Sequence, residues 1–207
     1  MNKVMKMYKA INKSVFKRAI VFFVIAIIVT ILGIVITYMI NPDIKGVMES
    51  FENKSSDQVK ESTGINKVWA YIVNNGFIVP LQMFILALIP IQFIYLVNII
   101  STALLPGILF GIVLHLDFIK GIEMIVSASP HYFTEIFALC LFAAVLFELN
   151  RVIRTKIKNV FKKDKDQVFL VKKVWSIIII YLVLILPMII AAAFLETYIA
   201  DVIFNLF

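Results

Sequence analysis

Long apolar stretches alternate with charged segments along the whole chain. The apolar stretches cover residues 19–40, 68–116, 129–149 and 174–195. Three of them have the length of one membrane-spanning helix, which needs about 20 apolar residues. The stretch at 68–116 contains no Asp, Glu, Lys or Arg. As one helix it would be roughly 75 Å long, more than twice the hydrocarbon core of a bilayer, so it must fold back on itself.

Prolines indicate where this long stretch reverses. Pro90 is the natural position for the turn, because proline lacks the N–H that a continuing helix requires. We therefore predict a tight hairpin of two spans that meet at Pro90. Pro80 and the pair Pro106 and Gly107 fall inside the spans, where we expect kinks or breaks that line a polar space. A re-entrant hairpin, which enters the membrane without crossing it, is the alternative.

The fold class that follows is an all-α, polytopic membrane protein, with residues 1–207 in a single domain. We predict five spans, at residues 19–40, 68–89, 91–116, 129–149 and 174–195. The composition agrees, because 62% of the residues are hydrophobic and 16% are charged. Soluble domains are about 45–50% apolar and about 25% charged.

The charged segments predict the orientation. Segment 1–18 holds six basic residues and no acid, and segment 150–173 holds nine basic residues and two acids. Cytoplasmic loops are rich in Lys and Arg, so both segments are expected inside. Segment 41–67 balances five acids with four lysines and is expected as an outer loop. In a bacterial cytoplasmic membrane, the amino terminus would then lie inside and the carboxyl terminus outside. The net charge of +7 favours contacts with anionic lipid over nucleic acid.

The span at 129–149 opens with the main candidate for function. Ser129 and Pro130 have the residue types of a helix N-cap and first helical position. His131 and Glu135 follow, four residues apart, so they lie on one face of the helix. An ionisable residue inside a span is costly and by default marks a functional site.

The predicted topology brings three more polar residues, Asn74, Asn75 and Glu196, to the same depth. Three interpretations stay open: a hydrogen-bonded network that fixes helix packing, a site for passage of substrate, proton or ion, and a catalytic site. We expect no cofactor. The alternative is a divalent metal at His131, Glu135 and Glu196. The paired histidines of an H-E-x-x-H zinc site are lacking.

Together these residues resemble the stage II sporulation protein M family of integral membrane proteins, also called DUF95. The resemblance rests on the P-H-x-x-x-E motif at 130–135, the asparagines of the second span, the Pro- and Gly-containing hairpin, and the A-A-A-F-L-E-T-Y ending at 191–198. Family members commonly have glycine after the histidine, where this chain has Tyr132.

The resemblance implies two biological settings. One is a membrane scaffold for envelope remodelling, which gathers cell-wall hydrolases. The other is maturation, export or immunity of a hydrophobic peptide of the circular bacteriocin type, together with an ABC ATPase. A third hypothesis, from the residues, is an intramembrane metal-dependent hydrolase. We take the non-enzymatic membrane subunit as the leading hypothesis, and homo-oligomerisation stays open.

Overall fold

The protein folds as a bundle of long helices. A computed structural model describes residues 13–40, 63–160 and 170–207. We number its helices α1 (Lys13–Ile40), α2 (Ile65–Leu88), α3 (Leu96–Leu116), α4 (Phe118–Lys158) and α5 (Leu170–Phe204). Each is long and apolar enough to cross a membrane, and the described residues contain no strand. The prediction of an all-α protein with five spans is confirmed.

Parts of the predicted segments lie outside the described residues. These are residues 1–12 of the basic amino-terminal segment, 41–62 of the expected outer loop and 161–169 of the basic loop. The division into these segments therefore stays a prediction.

Helix α4 is the centre of the bundle and contacts the other four helices. In its most apolar stretch 67% of the residues are buried, compared with 28% or 33% in each of the other helices. Its buried residues concentrate between Ile136 and Asn150 and include several small ones, such as Ala143 and Ala144. Small side chains let neighbouring helices approach closely, so α4 provides the surface on which the bundle is built.

Helices α1 and α3 pack with their backbones unusually close. A Cβ atom added at Gly107 would lie 2.5 Å from the Thr30 carbonyl oxygen, and one added at Gly111 would lie 2.7 Å from that of Ile34. Only glycine permits this approach, as in the small-xxx-small pairs of membrane helices. The Thr30 hydroxyl donates a hydrogen bond to the Ala103 carbonyl at 2.9 Å and so fixes the same interface.

The reversal predicted at Pro90 is confirmed, because α2 ends at Leu88 and α3 begins at Leu96. The two spans of the hairpin are close together, as expected, only at this turn. Helix α3 packs mainly against α1 and α4, whereas α2 packs against α4 and α5, and the two helices touch each other little. The hairpin therefore opens away from its turn, because each helix finds a different partner.

At Pro106 and Gly107, where we expected a kink or a break beside a polar space, no break occurs and α3 continues through both residues, while Pro106 lines a cavity with polar side chains. One proline removes a single backbone hydrogen bond, which a long membrane helix tolerates. Gly107 serves the contact with α1 instead. Pro80 differs, because it lies two residues after a π-helical segment, Ile72–Ile78, in which the backbone bonds run from residue i to i+5. The helix widens there rather than ending.

Helix α4 begins earlier than predicted. The expected loop before residue 129 is helical from Phe118, and the N-cap is Asp117, whose carboxylate accepts the Lys120 backbone N–H at 3.1 Å. Pro130 lies inside the helix. Ser129 therefore caps nothing, and its hydroxyl donates to the carbonyl four residues earlier at 2.6 Å. A serine followed by a proline is typical of a helix start, but a membrane helix also tolerates proline in its interior when neighbouring groups satisfy the freed carbonyl.

Helices α4 and α5 also extend beyond their predicted spans. Helix α4 has 41 residues and continues to Lys158, so it is roughly 60 Å long, about twice the hydrocarbon core. Helix α5 runs from Leu170 to Phe204, past the predicted end at 195. A helix does not need to stop where it leaves the hydrocarbon, because Lys and Arg are themselves good helix formers.

Candidate functional site

Five residues predicted to share one depth lie near one another at one end of α2, α4 and α5. We call them the polar cluster: His131, Glu135, Glu196, Asn74 and Asn75. All five side chains are half-buried. The structure thus brings together groups from three helices, while the function of the cluster stays a prediction.

The link between α2 and α4 is a chain of short hydrogen bonds. The Asn75 amide donates to a Glu135 carboxylate oxygen at 3.0 Å. The Asn74 amide in turn donates to the Asn75 side-chain oxygen at 2.6 Å. Two successive asparagines therefore orient the Glu135 carboxylate, which could otherwise enter a membrane only at high cost.

The link between α4 and α5 is looser. The His131 Nε2 atom lies 4.0 Å from a Glu196 carboxylate oxygen, which is longer than a direct hydrogen bond. The buried Nδ1 atom of His131 has no hydrogen-bond partner among the described residues. Glu196 has another neighbour, because the Tyr71 side chain of α2 lies close enough to interact with its carboxylate. Tyr71 was not foreseen from the sequence, although it lies one helical turn before the asparagines.

Two of the three helices present their cluster residues from π-helical segments. Asn74 and Asn75 lie in Ile72–Ile78, and Glu196 lies in Leu195–Ile199. A π-helical turn inserts one extra residue and rotates the side chains that follow, and such turns are frequent at functional sites. Their positions therefore decide which side chains face α4.

A polar cavity of about 310 Å³, which we call the polar groove, opens between α2 and α3 next to the cluster. Asn74 and Asn75 contribute to its wall. The other polar groups of the wall are amides and hydroxyls, from Gln82, Asn98, Ser101 and Thr102, and Pro106 also lines it. Polar groups at membrane depth need hydrogen-bond partners, so the groove suits water or a polar ligand.

The side chains of the polar cluster are poorly arranged to bind a metal ion. In the part of the chain that the structure describes, no three His, Cys, Asp or Glu side chains converge closely enough to hold one. His131 approaches Glu196, but Glu135 is turned toward Asn75. The hypothesis of a metal-dependent hydrolase thus gains no support here, and the absence of a cofactor stays a prediction.

The opposite end of the bundle holds a second set of polar contacts, which was not predicted. The Arg18 guanidinium of α1 pairs with the Glu148 carboxylate of α4 at 2.9 Å and lies 3.7 Å from the centre of the Phe147 ring. On α4, the Arg154 side chain donates to the Gln92 amide oxygen at 2.8 Å. The signal available in the sequence was the opposite charge of Arg18 and Glu148 at the same predicted side.

Asn150 fixes the turn between α2 and α3. It is 1% exposed, and its side-chain nitrogen donates to the carbonyl oxygens of Ala87, Ile89 and Ile91 at 3.0, 2.7 and 3.3 Å. The turn around Pro90 leaves these carbonyls without helical partners, since the series of backbone hydrogen bonds in α2 ends there. Asn150 therefore completes the hairpin from α4.

Four long apolar helices packed against a buried fifth one, with polar side chains meeting between them, define a polytopic α-helical membrane protein. The sequence profile described as stage II sporulation protein M matches residues 19–201, and the chain belongs to this family. The resemblance drawn from the P-H-x-x-x-E motif is thereby confirmed. No curated protein and no solved structure matches the chain.

Proposed function

We propose that the protein is a non-enzymatic membrane subunit of a bacterial envelope complex, of the envelope-remodelling type associated with its family. The observation that carries this proposal is the pairing inside the polar cluster. The Asn75 amide holds the Glu135 carboxylate at 3.0 Å, and Tyr71 of α2 lies beside the Glu196 carboxylate. Side chains engaged in this way join α2, α4 and α5, which suits a structural tie within a scaffold.

The proposed location is a bacterial cytoplasmic membrane, with the amino terminus inside and the carboxyl terminus outside. The clustering of positive charge at one end of the bundle supports this orientation. Arg18 from α1 and Arg151, Arg154 and Lys158 from α4 line a common pocket there. Since cytoplasmic ends of spans are enriched in Lys and Arg, this end would face the cytoplasm and the polar cluster would lie in the outer half. Cell-wall hydrolases recruited by the scaffold would then act on that outer side.

The polar groove favours a second candidate, a subunit that handles a hydrophobic peptide together with an ABC ATPase. Its amides and hydroxyls, including Gln82 and Asn98, can donate and accept hydrogen bonds. A peptide backbone inside the membrane needs such partners. The divergence of α2 from α3 leaves the groove accessible from the side.

Affinity purification from the native membrane in mild detergent, followed by mass spectrometry, separates the two candidates. The scaffold proposal expects cell-wall hydrolases to be recovered with the wild-type protein. It also expects His131→Ala to reduce their recovery in proportion to the loss of folded protein. A matched control is His115→Ala, which changes the second histidine, an exposed residue of α3 whose contacts among the described residues are with Tyr38.

Three results would count against the scaffold. An ATPase and a small hydrophobic peptide in place of hydrolases would favour the second candidate. Recovery of the chain alone would contradict both. A His131→Ala protein that binds its partners normally yet abolishes function would show that the cluster does more than hold the helices together.

A further inference from the structure

A pocket at the end of the bundle opposite the polar cluster is lined by positive charge. Its volume is about 420 Å³, and we call it the basic pocket. It lies between the start of α1, the turn joining α2 to α3, and the last turns of α4. Its wall includes Arg18, Gln92, Phe147, Arg151, Arg154 and Lys158.

The cations on α4 share one face of the helix. Arg151, Arg154 and Lys158 follow the spacing i, i+3 and i+7, which places their side chains along one stripe. Like charges in such a stripe repel one another, so the arrangement is unfavourable unless an anion lies among them. The positive-inside tendency explains why basic residues occur at this end, but it does not require them to line a common cavity.

Carboxylates of the described residues compensate only one of the four cations. Glu148 pairs with Arg18 at 2.9 Å. No carboxylate in the described ranges pairs with Arg151, Arg154 or Lys158. The buried Nε atom of Arg154 also has no hydrogen-bond partner there, although its terminal nitrogen donates to Gln92. The N–H group at Arg154 Nε is therefore available to donate a hydrogen bond to a ligand.

The shape and position of the pocket indicate the class of ligand. Arginine presents several donors in a planar fork, which matches the oxygens of a phosphate group. The pocket begins where the buried stretch of α4 ends, next to Asn150, which corresponds to the level of lipid headgroups. Basic pockets between spans at the cytoplasmic side are suited to anionic headgroups. Arg18 is held in place over the Phe147 ring, so part of the site is already formed.

We propose that the basic pocket binds a phosphate group, supplied by the headgroup of an anionic phospholipid such as phosphatidylglycerol. Arg151, Arg154 and Lys158 provide the positive charge, and the Arg154 Nε atom provides a buried donor. The acyl chains would lie along the apolar outer surface of the bundle. This inference is independent of the proposed scaffold function.

The test measures the thermal stability of the purified full-length protein in detergent. The additions are phosphatidylglycerol, phosphatidylcholine or inorganic phosphate, each compared with detergent alone. The test variant is Arg151→Gln with Lys158→Gln, because both side chains are exposed and their loss leaves the Arg18 and Gln92 contacts intact. The control is Lys13→Gln with Lys156→Gln, which removes the same charge from the same end outside the pocket.

The expected result is that phosphatidylglycerol raises the melting temperature of the wild type and the control by several degrees. Phosphatidylcholine should not, and the Arg151→Gln, Lys158→Gln protein should lose the rise. If inorganic phosphate reproduces the rise and the variant loses it, the phosphate site stands and its source is a free anion. The proposal fails if the variant keeps the full rise, if phosphatidylcholine acts equally well, or if no addition has an effect.

Discussion

Toward its two ends, α4 carries polar groups whose contacts to the other helices differ. Near Glu148 and Asn150 these contacts are short and direct, at 2.7 to 3.3 Å. At the polar cluster the contact to α2 is equally short, at 3.0 Å, but the contact to α5 is 4.0 Å. Both sets sit in an otherwise apolar bundle, and only the cluster includes a loose contact between helices.

The backbone differs in the same way. Asn150 emerges from regular α-helix, whereas Asn75 and Glu196 emerge from π-helical turns. A π-helical turn inserts one extra residue and so changes the direction of the side chains that follow it. The end near Asn150 is therefore held by more direct contacts from regular helix than the cluster end is. The following substitutions test that difference, in decreasing order of predicted change.

Replacing Asn150 by leucine should have the largest effect. Three carbonyl oxygens at the turn would lose their donor in a buried position, so we expect stability to fall by about 3 kcal/mol. Denaturant unfolding in detergent measures the change. Asn205→Leu is the control, because that side chain is exposed near the end of the chain and should shift stability little. Equal losses in the two variants would refute the role of Asn150 at the turn.

A substitution that introduces only a steric clash, between the two ends of α4, gives a reference in which no polar side chain is changed. Gly107→Ala places a methyl group 2.5 Å from the Thr30 carbonyl oxygen and should cost about 2 kcal/mol. Gly33→Ala, on the facing helix, meets its nearest atoms at 3.3 Å and should cost clearly less. Thermal unfolding of both proteins measures the contrast. If the order were reversed, α1 and α3 would not be packed as described.

The ion pair between Arg18 and Glu148 should show measurable coupling. Both side chains are about one-fifth exposed, so the pair is screened less than a surface pair. A double-mutant cycle with Arg18→Gln and Glu148→Gln should give a coupling energy of about 1 kcal/mol. The exposed pair Lys120 and Asp117, at 3.9 Å, is the control and should give almost none. Coupling that is absent from both pairs would show that the Arg18 contact does not stabilise the protein.

The smallest effect is expected inside the polar cluster. Glu135→Gln keeps an oxygen that can accept the Asn75 hydrogen bond, so stability should change by less than about 0.5 kcal/mol. Glu135→Ala removes the acceptor and should cost about 1 kcal/mol. The two proteins are compared by unfolding in the same detergent. A large loss with glutamine would mean that the charge itself holds this end together, and the two ends would then be alike.

The spans could be predicted because apolar length alone distinguishes a membrane helix. The reversal at Pro90 followed from length as well, since 68–116 could not cross once. The beginning of α4 was mistaken because Ser129 and Pro130 favour a helix start, although a membrane helix also tolerates proline in its interior. The charged residues Asp117, Lys120 and Glu123 also made the preceding segment resemble a loop.

The common depth of His131, Glu196 and Asn75 could be predicted from topology, but their contacts could not. Contact depends on the rotation of each helix about its axis, and π-helical turns in α2 and α5 change that rotation locally. Tyr71 and Asn150 were missed for a related reason. Their roles depend on backbone and carboxylate groups that only the folded bundle brings beside them.

The continuity of α4 has a mechanical consequence. Between His131 and Lys158 the chain contains neither glycine nor proline, so this part of the helix behaves as a stiff rod. Residues of the basic pocket and of the polar cluster lie at opposite ends of this stretch. Any twist or axial shift of this stretch at Arg151 would be carried along to His131. Helix α4 thus links the basic pocket and the polar cluster mechanically.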